Sequence, residues 1–100
     1  IFMNMQAIMQ QAQRMEKELT KKKEELDKKK FVGSSELVDV ELSGSKKVLS
    51  VKIKAEGALE EEDKEILQDM IVLAMNDALK KIDDETSSML GSYGKLSGLL

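Results

Sequence analysis

Apolar residues recur at heptad spacing along the first thirty positions of the chain, and no glycine or proline interrupts them after Met3. The steps between them are three and four, with Lys22 in the one place where the repeat lacks an apolar side chain. The apolar positions are Met5, Ile8, Ala12, Met15, Leu19 and Leu26. The segment consists mostly of good helix formers. The pattern predicts one long helix over residues 4–29, with a stripe narrow enough to pack against a single partner.

The apolar period changes to two in the next segment. Two runs alternate apolar and polar residues, and a Ser-Gly-Ser turn at residues 43–45 separates them. Their apolar members are Val38, Val40 and Leu42, then Leu49, Val51 and Ile53. Phe31 and Val32, ahead of Gly33, are consistent with a further short strand. We therefore expect antiparallel strands over residues 31–54, as a hairpin or a three-stranded sheet, with one apolar face that needs a cover.

A second helix is predicted over residues 60–86. Acidic side chains crowd its start at residues 60–63, and Lys80 and Lys81 lie near its end, which is the favoured sense for the helix dipole. Its wide apolar face comprises Leu59, Ile66, Leu67, Met70, Ala74, Ala78 and Ile82. A second patch, well round the helix from the first, comprises Val72, Met75 and Leu79. Either the other subunit of a dimer or the first helix covers this patch.

The length of 100 residues predicts a single domain over residues 1–100, of α+β class. Residues 90–100 contain three glycines and no apolar period, so we expect a flexible tail there. No apolar run approaches the roughly 20 residues that a membrane span requires, and no signal-peptide pattern opens the chain. Together with the absence of cysteine, these features favour a cytoplasmic protein without membrane contact.

Several classes of chemistry lack the residues they need. The chain has no histidine and no cysteine, so the usual general base, nucleophile and soft metal ligands are missing. The acidic run at residues 60–63 lacks the alternation and central glycine of a calcium loop. Asp77, beside apolar neighbours, is either a catalytic or recognition acid or a structural hydrogen-bond acceptor at a helix crossing. We expect no enzyme, metal ion, cofactor or small-molecule substrate.

Positive charge is concentrated around the end of the first helix. Residues 14–30 carry eight basic and five acidic side chains, in a chain of net charge −3. Four of these cations fall within about 60° of one another, opposite the apolar stripe, and are Arg14, Lys17, Lys21 and Lys28. Such a face attracts phosphate groups irrespective of base sequence. The alternative is a solvated face laced with i,i+4 ion pairs, such as Glu18–Lys22, Glu24–Lys28 and Glu25–Lys29.

Four segments resemble the YbaB/EbfC family of bacterial nucleoid-associated proteins. They are MQAIMQQAQRMEKEL, FVG, LVDVELSGSKKVLSVKI and EEDKEILQDMIVLAMNDALKKI. The resemblance extends from about Met3 to Lys95 and is most specific in the second helix, around Asn76-Asp77-Ala78. It implies an intertwined homodimer whose helices project as a tweezer-like pair. It also implies binding to double-stranded DNA in the nucleoid.

The resemblance implies that the helices, not the sheet, contact DNA. The DNA-binding residues expected on this basis are Arg14, Lys17, Lys21, Lys22, Lys28 and Lys29, with Lys80 and Lys81 secondary. The expected dimer interface is the patch Val72, Met75 and Leu79. With only three aromatic residues for stacking or wedging, the interpretation is a non-enzymatic protein that contacts phosphates with low sequence specificity. The alternative is a prefoldin-like chaperone or interaction module that binds no nucleic acid, in which the basic face has no role.

Overall fold

The computed structural model describes residues 4–97, with side chains through Ser92. In order, the elements are α1 (Met5–Lys28), β1 (Lys30–Ser34), β2 (Val38–Ser43), β3 (Val48–Ile53) and α2 (Asp63–Ser97). The α+β class is confirmed, and the sheet is the three-stranded alternative. The molecule measures 75 × 20 × 13 Å, with a radius of gyration of 20.6 Å. A compact chain of this length has a radius of about 13 Å, so the helices project well beyond the core.

Helix α1 is capped at its start and anchored at its end. The side-chain oxygen of Asn4 accepts hydrogen bonds from the backbone N–H groups of Gln6 and Ala7, at 3.1 and 3.3 Å. Leu26 is the buried residue of the helix. Gly44, in the turn between β2 and β3, lies so close to the Leu26 carbonyl that a Cβ atom at position 44 would overlap it. The close backbone contact therefore holds α1 against the sheet near its C-terminal end.

The sheet is antiparallel throughout, in the order β1-β2-β3. Val40, on the central strand, lies opposite Gly33 of β1 and Val51 of β3, and an irregularity follows Glu41 in the pairing with β3. The side chains of Val38, Val40 and Leu42 on β2 are almost fully buried. They pack with Leu26, Phe31, Ala74, Ala78 and Ile82 to form the core.

Helix α2 covers β1 and β2 but not β3. Its buried residues Ala74, Ala78 and Ile82 recur every four positions and face the sheet. A Cβ atom at Gly33 would overlap the Ala74 carbonyl oxygen and crowd Ala78, so this approach requires glycine on the strand and small residues on the helix. All six residues of β3 remain exposed. The apolar face of the sheet is thus only partly covered by its own chain.

The second helix differs from its predicted bounds. It begins at Asp63, whose carboxylate accepts a 2.9 Å hydrogen bond from the Glu60 N–H, and it continues to Ser97. Residues 90–97, expected to belong to the tail, are therefore helical, while the end of the expected tail, residues 98–100, lies outside the described part of the chain. Gly91 does not end the helix, because glycine costs only about 1 kcal/mol in a helix and no proline follows to remove a hydrogen bond.

Candidate nucleic-acid interface

Four cations form one exposed strip along α1, which we call the basic face: Arg14, Lys17, Lys21 and Lys28. At a rise of about 1.5 Å per residue, Arg14 and Lys28 are separated by about 21 Å along the helix axis. Among the side chains that the structure describes, none of the four forms an ion pair with a carboxylate. The basic face is therefore a line of exposed cations on a projecting helix, with Glu16 and Glu24 beside Lys17 and Lys21 but not paired with them.

The i,i+4 ion pairs of the alternative interpretation are absent from the described residues. Glu18–Lys22, Glu24–Lys28 and Glu25–Lys29 form no ion pair, and Lys29 lies just beyond the helix, in extended backbone. Elsewhere most of the described lysines have partners, Lys47 and Lys52 being exceptions. The pairs are Lys30–Glu41, Lys46–Asp83, Lys54–Asp39, Lys64–Glu61, Lys80–Asp84 and Lys81–Asp77. The cations of α1 differ from most of those on the sheet and α2 in being free to meet an external anion.

Lys22 and Lys29, the other two residues predicted to bind DNA, lie apart from the basic face. Both line a cleft between α1 and the distal part of α2, together with acidic residues of both helices. Lys29 pairs with Glu85 at 2.6 Å, and its ammonium lies 5.5 Å from the centre of the Phe31 ring. These contacts join the end of α1 to α2. The structure thus brings four of the six predicted residues together and gives Lys29 an internal partner.

Asp77, the acid with two interpretations, contacts the backbone of strand β1. Its Oδ2 accepts a 3.0 Å hydrogen bond from the Ser34 N–H and lies 3.4 Å from Lys81 Nζ. That hydrogen bond, aided by the nearby charge of Lys81, holds the pKa of Asp77 below its ordinary value. Lys81 in turn donates a 2.8 Å hydrogen bond to the Val32 carbonyl. The structural interpretation therefore has direct support, although the contact is between helix and strand instead of between helices.

The contacts of Asp77 and Lys81 occupy an edge of the sheet. Strand β1 is an edge strand, and such strands leave every second N–H and C=O group without a partner on one side. The Ser34 N–H and Val32 carbonyl are bonded by α2 side chains instead. Sequence reasoning missed this role for Ser34 and Lys81. The available signal was the four-residue spacing of Asp77 and Lys81, which places both on one side of α2.

The predicted dimer patch lies partly against the core. Val72 is 56% exposed, whereas Met75 and Leu79 are half-buried and pack against the core cluster. On a helical wheel, Met75 and Leu79 flank the sheet-facing residues on the side away from Asp77. Because Asp77 contacts β1, these two residues flank the β3 side of the sheet. Ordinary burial against the core cluster, which includes residues of the sheet and Leu26 of α1, therefore accounts for part of this patch.

A larger uncovered apolar surface lies on β3, where sequence reasoning expected a helix to cover the strand. Val48, Leu49, Val51 and Ile53 are each about half exposed, between 44 and 50%. Val51 and Ile53 lie opposite Val40 and Val38, so they share the sheet face on which α2 packs. The sequence pattern identifies this apolar face. It does not show that α2 is too narrow to reach the third strand.

Two further findings concern the described residues only. No group of three or more carboxylates within them is arranged to hold a metal ion. None of their helices is both long and apolar enough to cross a bilayer.

Comparison with known proteins gives one family. The family model described as the YbaB/EbfC DNA-binding family matches residues 2–96. A nucleoid-associated protein of Enterococcus faecalis is 42% identical over 94 residues, covering 92% of this chain and 89% of that protein. One from Streptococcus agalactiae is 43% identical over 97 residues, covering 94% and 97%. The crystal structure of an uncharacterized Helicobacter pylori protein superposes with a TM-score of 0.74 at 20% identity, covering 92% of this chain and 98% of the other. This last similarity concerns the fold alone.

Proposed function

Because the chain belongs to the YbaB/EbfC DNA-binding family, we propose that it is a non-enzymatic nucleoid-associated protein that binds double-stranded DNA as a homodimer. The names of its relatives in Enterococcus faecalis and Streptococcus agalactiae support a location on the nucleoid. One structural observation carries the proposal for the binding surface. The four cations of the basic face are exposed on a projecting helix and have no carboxylate partner among the described residues.

The spacing of the basic face suits a phosphate backbone. Duplex DNA carries one negative charge per roughly 1.7 Å of axis, so the basic face spans the charge of about twelve phosphates. Contacts of this kind depend on charge and not on base identity, which gives low sequence specificity. Two subunits present eight such cations. If each meets one phosphate, log Kd changes with log salt concentration with a slope of about 7 in magnitude.

Within the proposal, the six predicted residues contribute unequally. Arg14, Lys17, Lys21 and Lys28 make the phosphate contacts. Lys22 and Lys29 are secondary, because they line the cleft with α2 and Lys29 is already paired with Glu85. Lys80 and Lys81, which pair with carboxylates on their own helix, contribute less than the basic face.

The uncovered apolar surface supports the dimer. Val51 and Ile53 on β3 continue the sheet face whose remainder α2 covers, and Met75 and Leu79 border it on the helix side. Burying half-exposed side chains of this size is favourable by roughly 1 kcal/mol each, at about 25 cal/mol per Å². A second copy offers the same surface, so a two-fold contact covers both at once. Val72, Met75 and Leu79 then form the α2 border of an interface centred on β3.

The test of the DNA surface compares two variants that remove the same charge. The first replaces Arg14, Lys17, Lys21 and Lys28 by glutamine, and the second does so for Lys46, Lys47, Lys52 and Lys64. Binding to a duplex is measured by fluorescence anisotropy across a series of salt concentrations. We expect the first variant to lose most of its affinity and of its salt dependence, and the second to stay close to the parent.

Two outcomes contradict the proposed surface. Equal losses in both variants would mean that net charge, not the basic face, governs binding. No binding by the parent at low salt would overturn the DNA-binding proposal and favour the chaperone-like alternative.

The dimer is tested with two substitutions at equally exposed valines. Val51→Lys lies on the proposed interface, and Val32→Lys lies on strand β1, with each side chain 47% exposed. By sedimentation velocity we expect the parent and Val32→Lys to be dimers and Val51→Lys to shift toward monomer, because the interface would bury an unpaired charge. A monomeric parent, or dimers for both variants, would refute the interface on β3.

A further inference from the structure

The start of α1 has a composition unlike that of the remainder of the chain. Residues 4–13, which we call the tip segment, contain no ionisable side chain, although charged residues make up 35% of the chain. Met5 and Met9 are 67% and 59% exposed. Among the side chains that the structure describes, the cleft between α1 and α2 is lined on the α1 side from Glu18 onward. The tip segment is thus an uncharged end on an otherwise charged helix, with apolar residues interspersed among asparagine and glutamine.

The apolar side chains of this region form a stripe suited to a second helix. Met5, Ile8, Ala12 and Met15, which we call the tip stripe, follow the alternating three- and four-residue steps of a coiled-coil seam. On the helical wheel the tip stripe lies opposite the basic face. A duplex held by the basic face would therefore leave the tip stripe pointing away from the DNA.

We propose that tip segments of two copies bound to separate DNA segments pair as an antiparallel two-helix coiled coil, so that the protein bridges duplexes. In this arrangement Met5 of one copy lies opposite Met15 of the other, and Ile8 lies opposite Ala12, in layers repeated by a two-fold axis. The two basic faces then point outward in opposite directions, each toward its own duplex. This inference rests on the proposed DNA binding by α1.

The charge pattern identifies a second copy as the partner. Two identical helices that carry charge beside their seam repel each other unless the charges alternate in sign. Residues 4–13 carry none, and Arg14, the one charged residue between Met5 and Met15, lies on the opposite side of the helix from the tip stripe, so two tip stripes meet without repulsion. An acidic or basic partner would find no complementary charge on this segment. The tip stripe therefore has the spacing to pair with a second copy and carries no charge that opposes the pairing.

The contact between two tip stripes is weak because it is small. A pairing of about three to four layers buries less surface than the roughly 1,200 Å² of a stable interface. Free dimers therefore do not assemble further through their tips. On DNA, the local concentration of tip segments is far higher, and several weak contacts act together between the same two duplexes. Bridging then depends on how densely the protein covers the DNA.

The test separates bridging from binding. Met5→Gln/Ile8→Gln/Met15→Gln removes the three large apolar side chains of the tip stripe but keeps the helix-forming, uncharged character of these positions. Gln6→Ala/Gln10→Ala/Gln13→Ala is the matched control on the opposite side of the helix. Binding to one short duplex is measured by anisotropy. Bridging is measured as the capture of a fluorescent long duplex by a second long duplex fixed to beads.

We expect the tip variant to bind the short duplex as the parent does, and to lose bridging by about tenfold or more. The control is expected to match the parent in both assays. Circular dichroism verifies that both variants keep their helix content. If the parent binds the short duplex but does not bridge, or if the tip variant bridges as well as the parent, the inference is wrong. Failure of the parent to bind the short duplex would instead refute the proposed function.

The geometry of pairing has its own readout, because the chain contains no cysteine. Met5→Cys and Met15→Cys proteins are mixed, with a size tag on one of them, and oxidised in the presence and absence of long DNA. Antiparallel pairing predicts a DNA-dependent disulfide between positions 5 and 15, because only that pair comes within bonding reach. A predominance of links between two copies of position 5, or cross-links that do not depend on DNA, would contradict the arrangement.

Discussion

In the sheet and α2, six lysines lie against carboxylates, whereas on α1 the four cations of the basic face project into solvent without a partner in the described chain. Packing differs in the same way. The sheet meets α2 at backbone contact through Gly33, and α1 is buried only at Leu26. In the body of the molecule, side chains therefore contact mainly one another. On the projecting part of α1, they are exposed and available to other molecules. The difference predicts that stability and binding respond to separate sets of substitutions.

The largest contrast in stability is expected between Ile82 and Met9. The Ile82 side chain is 1% exposed, so Ile82→Ala leaves a cavity in the core. This substitution should lower the free energy of unfolding by about 3 kcal/mol. Met9→Ala trims an exposed side chain and should change it by less than about 0.5 kcal/mol. Urea denaturation at one fixed protein concentration measures both. Comparable losses would mean that α1 is packed as tightly as the body.

A smaller contrast is expected between two glycines. Gly33→Ala forces the β1 and α2 backbones apart and should destabilise the protein by about 2 kcal/mol. Gly91→Ala meets nothing within 4 Å and should stabilise the helix by about 0.5–1 kcal/mol. Thermal denaturation of the two variants beside the parent provides the comparison. Equal effects would show that the close approach at Gly33 is relieved at little cost.

The smallest effect concerns the pH dependence of stability. The hydrogen bond from the Ser34 N–H lowers the folded-state pKa of Asp77 below 3.8, and hydrogen bonds from Ser34 and Lys54 lower the pKa of Asp39 likewise. A lowered folded pKa means that the stabilisation is complete above the unfolded pKa and is lost as pH falls through the folded one. We expect Asp77→Asn to flatten the stability profile below about pH 4. Parallel profiles for the parent and Asp77→Asn would contradict the role of this hydrogen bond.

Much of this fold is readable from periodicity alone. The heptad steps of residues 5–26 and the alternation of residues 38–53 are local patterns, and each corresponds to an element of the structure. The extension of α2 to Ser97 was not readable, because glycines lower helix propensity without forbidding the helix. Residues 90–97 were accordingly assigned to a tail.

The candidate site was less readable than the fold. The wheel placed the four cations of the basic face together, because they belong to one helix. The wheel could not show that Lys29 has an internal partner, because that partner, Glu85, lies 56 positions away in the sequence. The sequence likewise leaves two interpretations of Asp77, because its hydrogen-bond donor, the Ser34 N–H, belongs to a different element.

By itself, the sequence determined the elements, the α+β class, the family and the strip of positive charge on α1, because each depends on the order of residues along one segment. Only the tertiary structure decided which charges are paired, where glycine is required and which part of the apolar sheet is left open. Those properties depend on distances between segments, and α2 spans two strands of a three-stranded sheet. The uncovered third strand follows from that geometry.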